Sequence, residues 1–173
     1  MFNLTNLLSS SSSKATEQET SLSDGIALVQ SVFRGMGLDD NYGRTKSGGY
    51  IFERSMGSAG FYIILNKNHK IKANTITFVA PILQVPNRNR EKFYRKCLEL
   101  NHSLTSCSFA IFGEEVRIVS ERDLKGLDAD EFKTILFQVA NSANELDDQL
   151  AKEFGAKMYS LGHKKEPDPD TIR

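Results

Sequence analysis

The chain has 173 residues, 39% of them apolar, and sets 22 basic side chains against 22 acidic ones; that length suits one compact domain with slack at its ends, and the charge balance exerts no overall pull toward nucleic acid or an anionic membrane. Two cysteines, Cys97 and Cys107, lack CxxC spacing, which argues against a disulfide framework and for a reducing compartment. No apolar run is long enough to span a bilayer, and the opening MFNLTNLLSSSSSK lacks the basic and apolar regions of a secretory signal, so a soluble, cytoplasmic protein is expected.

Residues 1–20, with a serine run at 9–13, read as a disordered N-terminal tail. Phe2, Leu4, Leu7 and Leu8 have the makings of a short sticky helix for a partner, although a frayed end is the simpler reading. The body, a single domain over 21–156, opens with Ser21 and Asp24 at capping-box spacing, followed by Ile26, Val29, Phe33 and Met36 at helical period, and Gly35 and Gly37 close that helix. The stretch DDNYGRTKSGG reads as a loop. YIFER (50–54) and FYIILN (61–66) read as strands, the second apolar on both sides and therefore central. A three-residue loop at 67–69 would place Leu65 opposite Ile71 and Ile63 opposite Ala73. The next strand runs from about Ile71 to Leu83, with Pro81 marking a bulge or the end of pairing.

Periodicity then turns helical, with Phe93, Cys97, Leu100 and Leu104 on one stripe. Arg88, Arg90, Lys92, Arg95 and Lys96 make the start of this helix basic, against the preference of a helix N-terminus for acids. The final helix spans about Asp128 to Phe154, and Phe132, Leu136, Val139, Ala143, Leu146 and Leu150 form a heptad-like seam. A coiled coil has that seam; so does a long helix laid across a sheet, which is the expected arrangement because the strands need a cover. Residues 157–173 read as a flexible C-terminal tail.

The stretch NHSLTSCSFAIFGEEVRIV (101–119) poses the sharpest question, because it holds His102, Cys107, Glu114, Glu115 and Arg117. If Gly113-Glu114 is a two-residue type II′ turn, Phe112 pairs with Glu115 and Cys107 with Ser120. One face then carries Cys107, Phe109, Ile111, Val116 and Ile118 toward the core, while Glu115 and Arg117 point the other way with Ser108, Ala110, Phe112 and Val119. Base and nucleophile are thereby separated, and scaffold rather than catalysis is expected. The histidines lack metal-ligand spacing, and neither phosphate-loop glycine pattern occurs. No enzyme activity, metal or cofactor is expected.

The resulting order, α-β-β-β-α-β-β-α, is an α+β fold with an antiparallel sheet of about five strands and helices packed on one face. The stretches VAPILQVPNRNREKFYRKCLELN, FAIFGEEVRIVSERDLKGLDADEF and NELDDQLAKEFG, in that order and at those distances, resemble the YbjN-like bacterial family, sensory-transduction regulators with the fold of the type III secretion chaperones. The resemblance covers about Phe61 to Phe154. It implies a non-enzymatic, often dimeric module that binds a partner protein. Those chaperones are acidic, whereas this chain is neutral, and the resemblance carries over no catalytic residues. Tyr62, Ile64 and Phe112, with Tyr94 and Leu98 on the second helix, are the candidate partner or homodimer surface. The alternative is a nucleic-acid-associated regulator using the basic run at 88–96, against which stands the bland reading of a solvated helix face.

Overall fold

The computed structural model describes residues 20–56 and 59–159. Helix α1, Leu22–Gly35, starts on the expected capping box: Asp24 N–H donates to Ser21 Oγ at 3.1 Å, and Ser21 N–H donates back to Asp24 Oδ2 at 3.0 Å. Its end uses one of the two glycines expected there. Gly37 takes the left-handed conformation at φ 70°, with Leu38 N–H donating to Phe33 O and Gly37 N–H to Arg34 O, a Schellman closure. Ile26, Val29 and Phe33 are buried and Met36 packs against them at the margin.

Beyond the helix the expected loop contains a two-residue strand, β1 (Gly43–Arg44), so the described residues hold six strands. The others are β2 (Tyr50–Met56), β3 (Ala59–Asn68), β4 (Ala73–Gln84), β5 (Ser108–Phe112) and β6 (Glu115–Asp123). All neighbours are antiparallel, in the order β1-β2-β3-β4-β6-β5, so β3 is central as expected. Helices α2 (Arg90–Asn101) and α3 (Ala129–Phe154) join α1 on one face of the sheet.

The β3–β4 register differs from the expected one. Leu65 faces Ile76 and Ile63 faces Phe78; Ile71 is 59% exposed in the turn. The turn is longer than three residues because Asn68 Oδ1 accepts from Lys70 N–H and Ile71 N–H, an Asx-type local bond that competes with strand pairing. The new register also serves the core better, since it sets the bulkier Phe78 and Ile76 against Ile63 and Leu65.

Pro81 does mark a bulge: the β4–β6 register slips between Pro81 and Leu83. In the β5–β6 hairpin, Ala110 and Arg117 form a mutually bonded pair, so the Arg117 backbone points to β5 and the Pro81 nitrogen points away from β6. There β3 has already stopped pairing with β4, its last partner on that side being Val79. The chain after α3 takes its place: Gln84 N–H donates to Lys157 O at 2.8 Å and Tyr159 N–H to Ile82 O at 2.9 Å, with Met158 bridging Leu83.

Helix α3 covers the sheet as a long single helix, not a coiled coil. Asp128 caps it through Asp130 N–H and Glu131 N–H, and all six seam residues are buried. Its Phe132 ring meets Phe78 at 5.0 Å and Phe33 at 6.1 Å. Phe33 also meets Phe52 and Phe61 edge-on, an arrangement that contributes about 1 kcal/mol per pair beyond area burial. Helix α2 is tied in through Phe93, which meets Phe154 at 5.2 Å; Leu104, expected on its stripe, lies beyond the helix end. The N-terminal segment Phe2–Leu8 and residues 160–173 lie outside the described residues.

Candidate functional site

The sheet is apolar on both faces, and the helices cover one of them. The face away from the helices, called outer below, follows from the register. One row across it reads Glu53, Tyr62, Val79, Val119, Ser108, and the next reads Ile51, Ile64, Thr77, Glu121. Tyr62, Ile64 and Val79 form a cluster of their own, separate from the main core, with Ile51 and Val119 packed beside it. Two of the sequence-derived surface residues, Tyr62 and Ile64, therefore sit together here. They are 5% and 2% exposed, and Val79 is 1% exposed.

Phe112 lies on the same face, two rows along, and forms one side of a cation site. Arg117 is 4% exposed, and its guanidinium sits 4.1 Å from the centre of the Phe112 ring. Its Nη2 and Nε donate to Glu115 Oε2 at 2.6 and 3.1 Å. The expected local pair is thus a buried one, since the neighbouring strands flank it with Pro81 and Ala110. Glu115 keeps a quarter of its side chain in solvent. Burial, then hydrogen bonding with Tyr159, pushes the Tyr62 phenol up, with the Glu53 and Glu115 carboxylates adding to the effect. Tyr159 therefore stands on this face too.

Tyr94 and Leu98 fall on the other side of the sheet. Tyr94 is half-buried against the core, while Leu98 is 70% exposed on α2. Helix α2 packs on β5, where Ile111 is also exposed. Ile111 was expected in the core; it escapes because β5 is the edge strand and the helices do not reach over its end. That edge is blunted at one point, since Asn101 Oδ1 accepts from Phe109 N–H at 2.7 Å, filling a ladder position that would otherwise be free. The groove between the end of α2 and α3, about 440 Å³, is lined by Leu100, Leu104, Gln138, Ser142 and Leu146 among others.

In the basic run, two of the five charges have carboxylate partners. Arg88 precedes α2; Arg90 pairs with Glu114 of the hairpin turn at 2.8 Å and Arg95 with Glu99 at 2.8 Å. Lys92 is exposed and Lys96 half-buried. Turning Arg90 toward the hairpin also removes its charge from the helix axis, which relieves the expected conflict with the dipole.

The reactive side chains of residues 101–119 do not converge. Gly113 has φ 57° while Glu114 stays at negative φ, so the type II′ turn and its pairing stand from Phe112–Glu115 to Ser108–Val119. Cys107 lies one residue short of β5, because Ser106 adopts φ 57° there. It is half-buried on the helix side, with Sγ 3.7 Å from Ser142 Oγ. His102 is exposed past α2, and Glu115 and Arg117 are on the outer face. Burial raises both thiols, Cys97 to about 11, which keeps them in the unreactive protonated form at neutral pH. Among the described residues no three His, Cys, Asp or Glu side chains are placed to hold a metal, and no helix is long and apolar enough to cross a membrane.

Set against known structures, the chain superposes on a chain of the crystal structure of the ExsC–ExsE complex with a TM-score of 0.58, at 14% identity, over 75% of this chain and 95% of that one. The two chains share a fold. A chain of the HopA1–SchA chaperone–effector complex matches with a TM-score of 0.48 at 9% identity, over 70% of this chain and 91% of that one. No protein-family model and no curated protein sequence matches the chain.

The sequence did not single out Val79, Val119, Ile51 or Tyr159. Val79 was hidden by the wrong β3–β4 register: TITFVA is strand-forming on both faces, so its alternation does not say which face is which. Tyr159 lies in a stretch read as tail. The signal there is Met158-Tyr159, an apolar pair that begins three residues after the Gly155 cap, which has φ 63°.

Proposed function

We propose that this protein is a non-catalytic, chaperone-like binding module that holds an extended segment of a partner protein on the outer face of its sheet. One observation carries the reading. Tyr62, Ile64 and Val79, flanked by Ile51 and Val119, make an apolar strip outside the main core, on the face that the helices leave alone. A sheet face of that composition needs polypeptide over it, and extended segments suit sheet faces by placing alternate side chains into such a strip. The likeness to a chain of the ExsC–ExsE complex supports the reading at the level of fold, because that complex joins two proteins. Two copies meet, in this reading, through α2 and the end of β5, where Leu98 and Ile111 are exposed and Tyr94 lies beside them. The protein acts in the cytoplasm.

Affinity capture tests this with charge placed at the half-buried margin of the strip. Ile51→Lys and Val119→Lys should each retain the wild-type circular dichroism spectrum and lose the protein that the unaltered chain retains. Identical capture by the variants and the wild type would remove the outer face as the binding surface. Leu98→Asp should convert a dimer into a monomer by light scattering, and a wild-type monomer at tens of micromolar would remove the pairing.

A further inference from the structure

We infer that the tip of the β3–β4 hairpin docks this protein peripherally on an anionic lipid surface, with Ile71 entering the headgroup layer and Lys67, Lys70 and Lys72 lying among the headgroups. The inference is independent of the partner face. It starts from the sheet register. On one side β2 begins pairing with β3 at Leu65, through Tyr50; on the other β6 stops pairing with β4 at Thr75, through Asp123. One more tie, Leu124 N–H to Asn74 O, closes that second side. Among the described residues, the segment from Lys67 to Ala73 therefore has no strand on either flank. It projects from the end of the sheet by about 10 Å, since β3 runs on past Leu65 to Asn68. Asn68 shapes the turn: its Oδ1 accepts from Lys70 N–H at 3.1 Å and from Ile71 N–H at 3.4 Å, and Lys72 follows with φ 55°. Ile71 is left 59% exposed, with Lys70 and Lys72 exposed on either side of it.

The chain is neutral overall but not at this tip. Elsewhere arginines meet carboxylates, as Arg34 meets Asp40, Arg90 meets Glu114 and Arg122 meets Glu131. The ammonium groups of Lys67, Lys70 and Lys72 have no such partner among the described residues; the nearest carboxylate by register is Asp123, opposite Thr75. The neighbouring turn at 45–48 adds exposed Lys46, and it is seated against the hairpin, since a methyl at Gly49 would stand 3.2 Å from Asn66 Oδ1. Lysines alone would suit any polyanion. Ile71 narrows the choice, because it needs an apolar layer that a phosphate backbone lacks. A protein partner needs about 800 Å² of contact on each side, far more than a hairpin tip offers. A bilayer surface sets anionic headgroups over an apolar layer and admits a small projection. Contact of this size is weak and reversible, suited to recruitment rather than anchoring.

Vesicle sedimentation of the full-length chain tests this. At low salt the protein should pellet with vesicles of equal parts phosphatidylcholine and phosphatidylserine, stay in solution with phosphatidylcholine alone, and be released as salt rises. Lys67→Gln combined with Lys70→Gln and Lys72→Asn should lower the partition about a hundred-fold, at about five-fold per lysine; asparagine suits the left-handed backbone at 72. Ile71→Ser should lower it several-fold. These side chains are exposed, so the melting temperature should not move in either variant. A control carrying Arg88→Gln, Lys92→Gln and Lys152→Gln removes the same charge elsewhere and should bind nearly as the wild type does. No pelleting with the mixed vesicles at low salt overturns the proposal, and so does a loss in the control as large as that in the tip variant. Wild-type binding by Ile71→Ser would reduce the tip to a generic polyanion contact, and retardation of a DNA duplex that depends on the tip lysines would make nucleic acid the partner; either result overturns it.

Discussion

The Glu115–Arg117 pair can be taken apart in a way that its two exposures predict. Arg117 is 4% exposed and Glu115 24%, so removing either side does not leave equivalent remnants. In Glu115→Ala the guanidinium stays on the outer face with Phe112 beside it but without its carboxylate. A buried cation stripped of its partner costs 3–5 kcal/mol, and the π face offsets part of that, which gives about 3 kcal/mol. In Arg117→Met the orphan is Glu115, which can turn its carboxylate into water, and methionine fills the space against Phe112 and Pro81; the expected cost is about 1 kcal/mol. The double variant should be close to Arg117→Met alone, giving a coupling energy of about 3 kcal/mol in size. Urea melts at fixed pH measure all three, and in a thermal melt Glu115→Ala should come down by on the order of 10 °C. If Glu115→Ala costs no more than Arg117→Met, Arg117 is not desolvated as described, and the occluded outer face goes with it.

Two identical substitutions in α1 should act in opposite directions. A methyl at Gly25 would stand 2.5 Å from Leu65 Cδ2 and 2.8 Å from Leu124 Cδ1, whereas one at Gly35 meets open space; Gly25→Ala should therefore lose about 1–2 kcal/mol to overpacking, and Gly35→Ala gain about 0.5 kcal/mol, in denaturant titrations. Two carboxylates should give opposite pH signatures. The Ser21 hydroxyl and backbone hold Asp24 below the ordinary range, so its contribution is present above pH 4 and is lost as pH falls through the lowered value; burial holds Asp147 above that range, so its ionisation weakens the fold as pH rises past 4. Asp24→Asn should flatten the acid limb of the stability profile, and Asp147→Asn should raise the melting temperature at pH 7; a fall at pH 7 would contradict the burial of Asp147. Finally, Cys97 should react with a thiol reagent more slowly than half-buried Cys107 in the native state, and both should react at the free-thiol rate in urea. Fast native labelling of Cys97 would mean that its contact with the core is open.

Local chemistry made most of the fold legible. The capping box at Ser21, the turn at Gly113-Glu114 and the seam from Phe132 to Leu150 each rest on a few neighbouring residues whose geometry is fixed by bonding within a turn or two. The failures are non-local. The β3–β4 register depends on an asparagine side chain at position 68 competing for the turn, and on which of several apolar residues fills the core best, and alternation cannot decide either when both faces are apolar. Ile111 was misassigned because sequence gives the face a residue points to but not whether a helix reaches that far. The candidate surface was half legible. Tyr62 and Ile64 share a strip, but Val79, the residue at its centre, became visible only when β4 was in register. The burial of Arg117 came from the strands beside it, which a two-residue ion-pair reading does not contain.

The short annealing of Lys157–Tyr159 onto β4 has a consequence for biogenesis. One of the two middle strands of the sheet obtains its final backbone partners from residues made after the longest helix. A ribosome must therefore release the end of α3 before Ile82 and Gln84 are fully bonded, and until then β4 carries a bare half-edge into a crowded cell. Nascent chains stalled within α3 should be the aggregation-prone species of this protein, and chains that have passed Tyr159 should not.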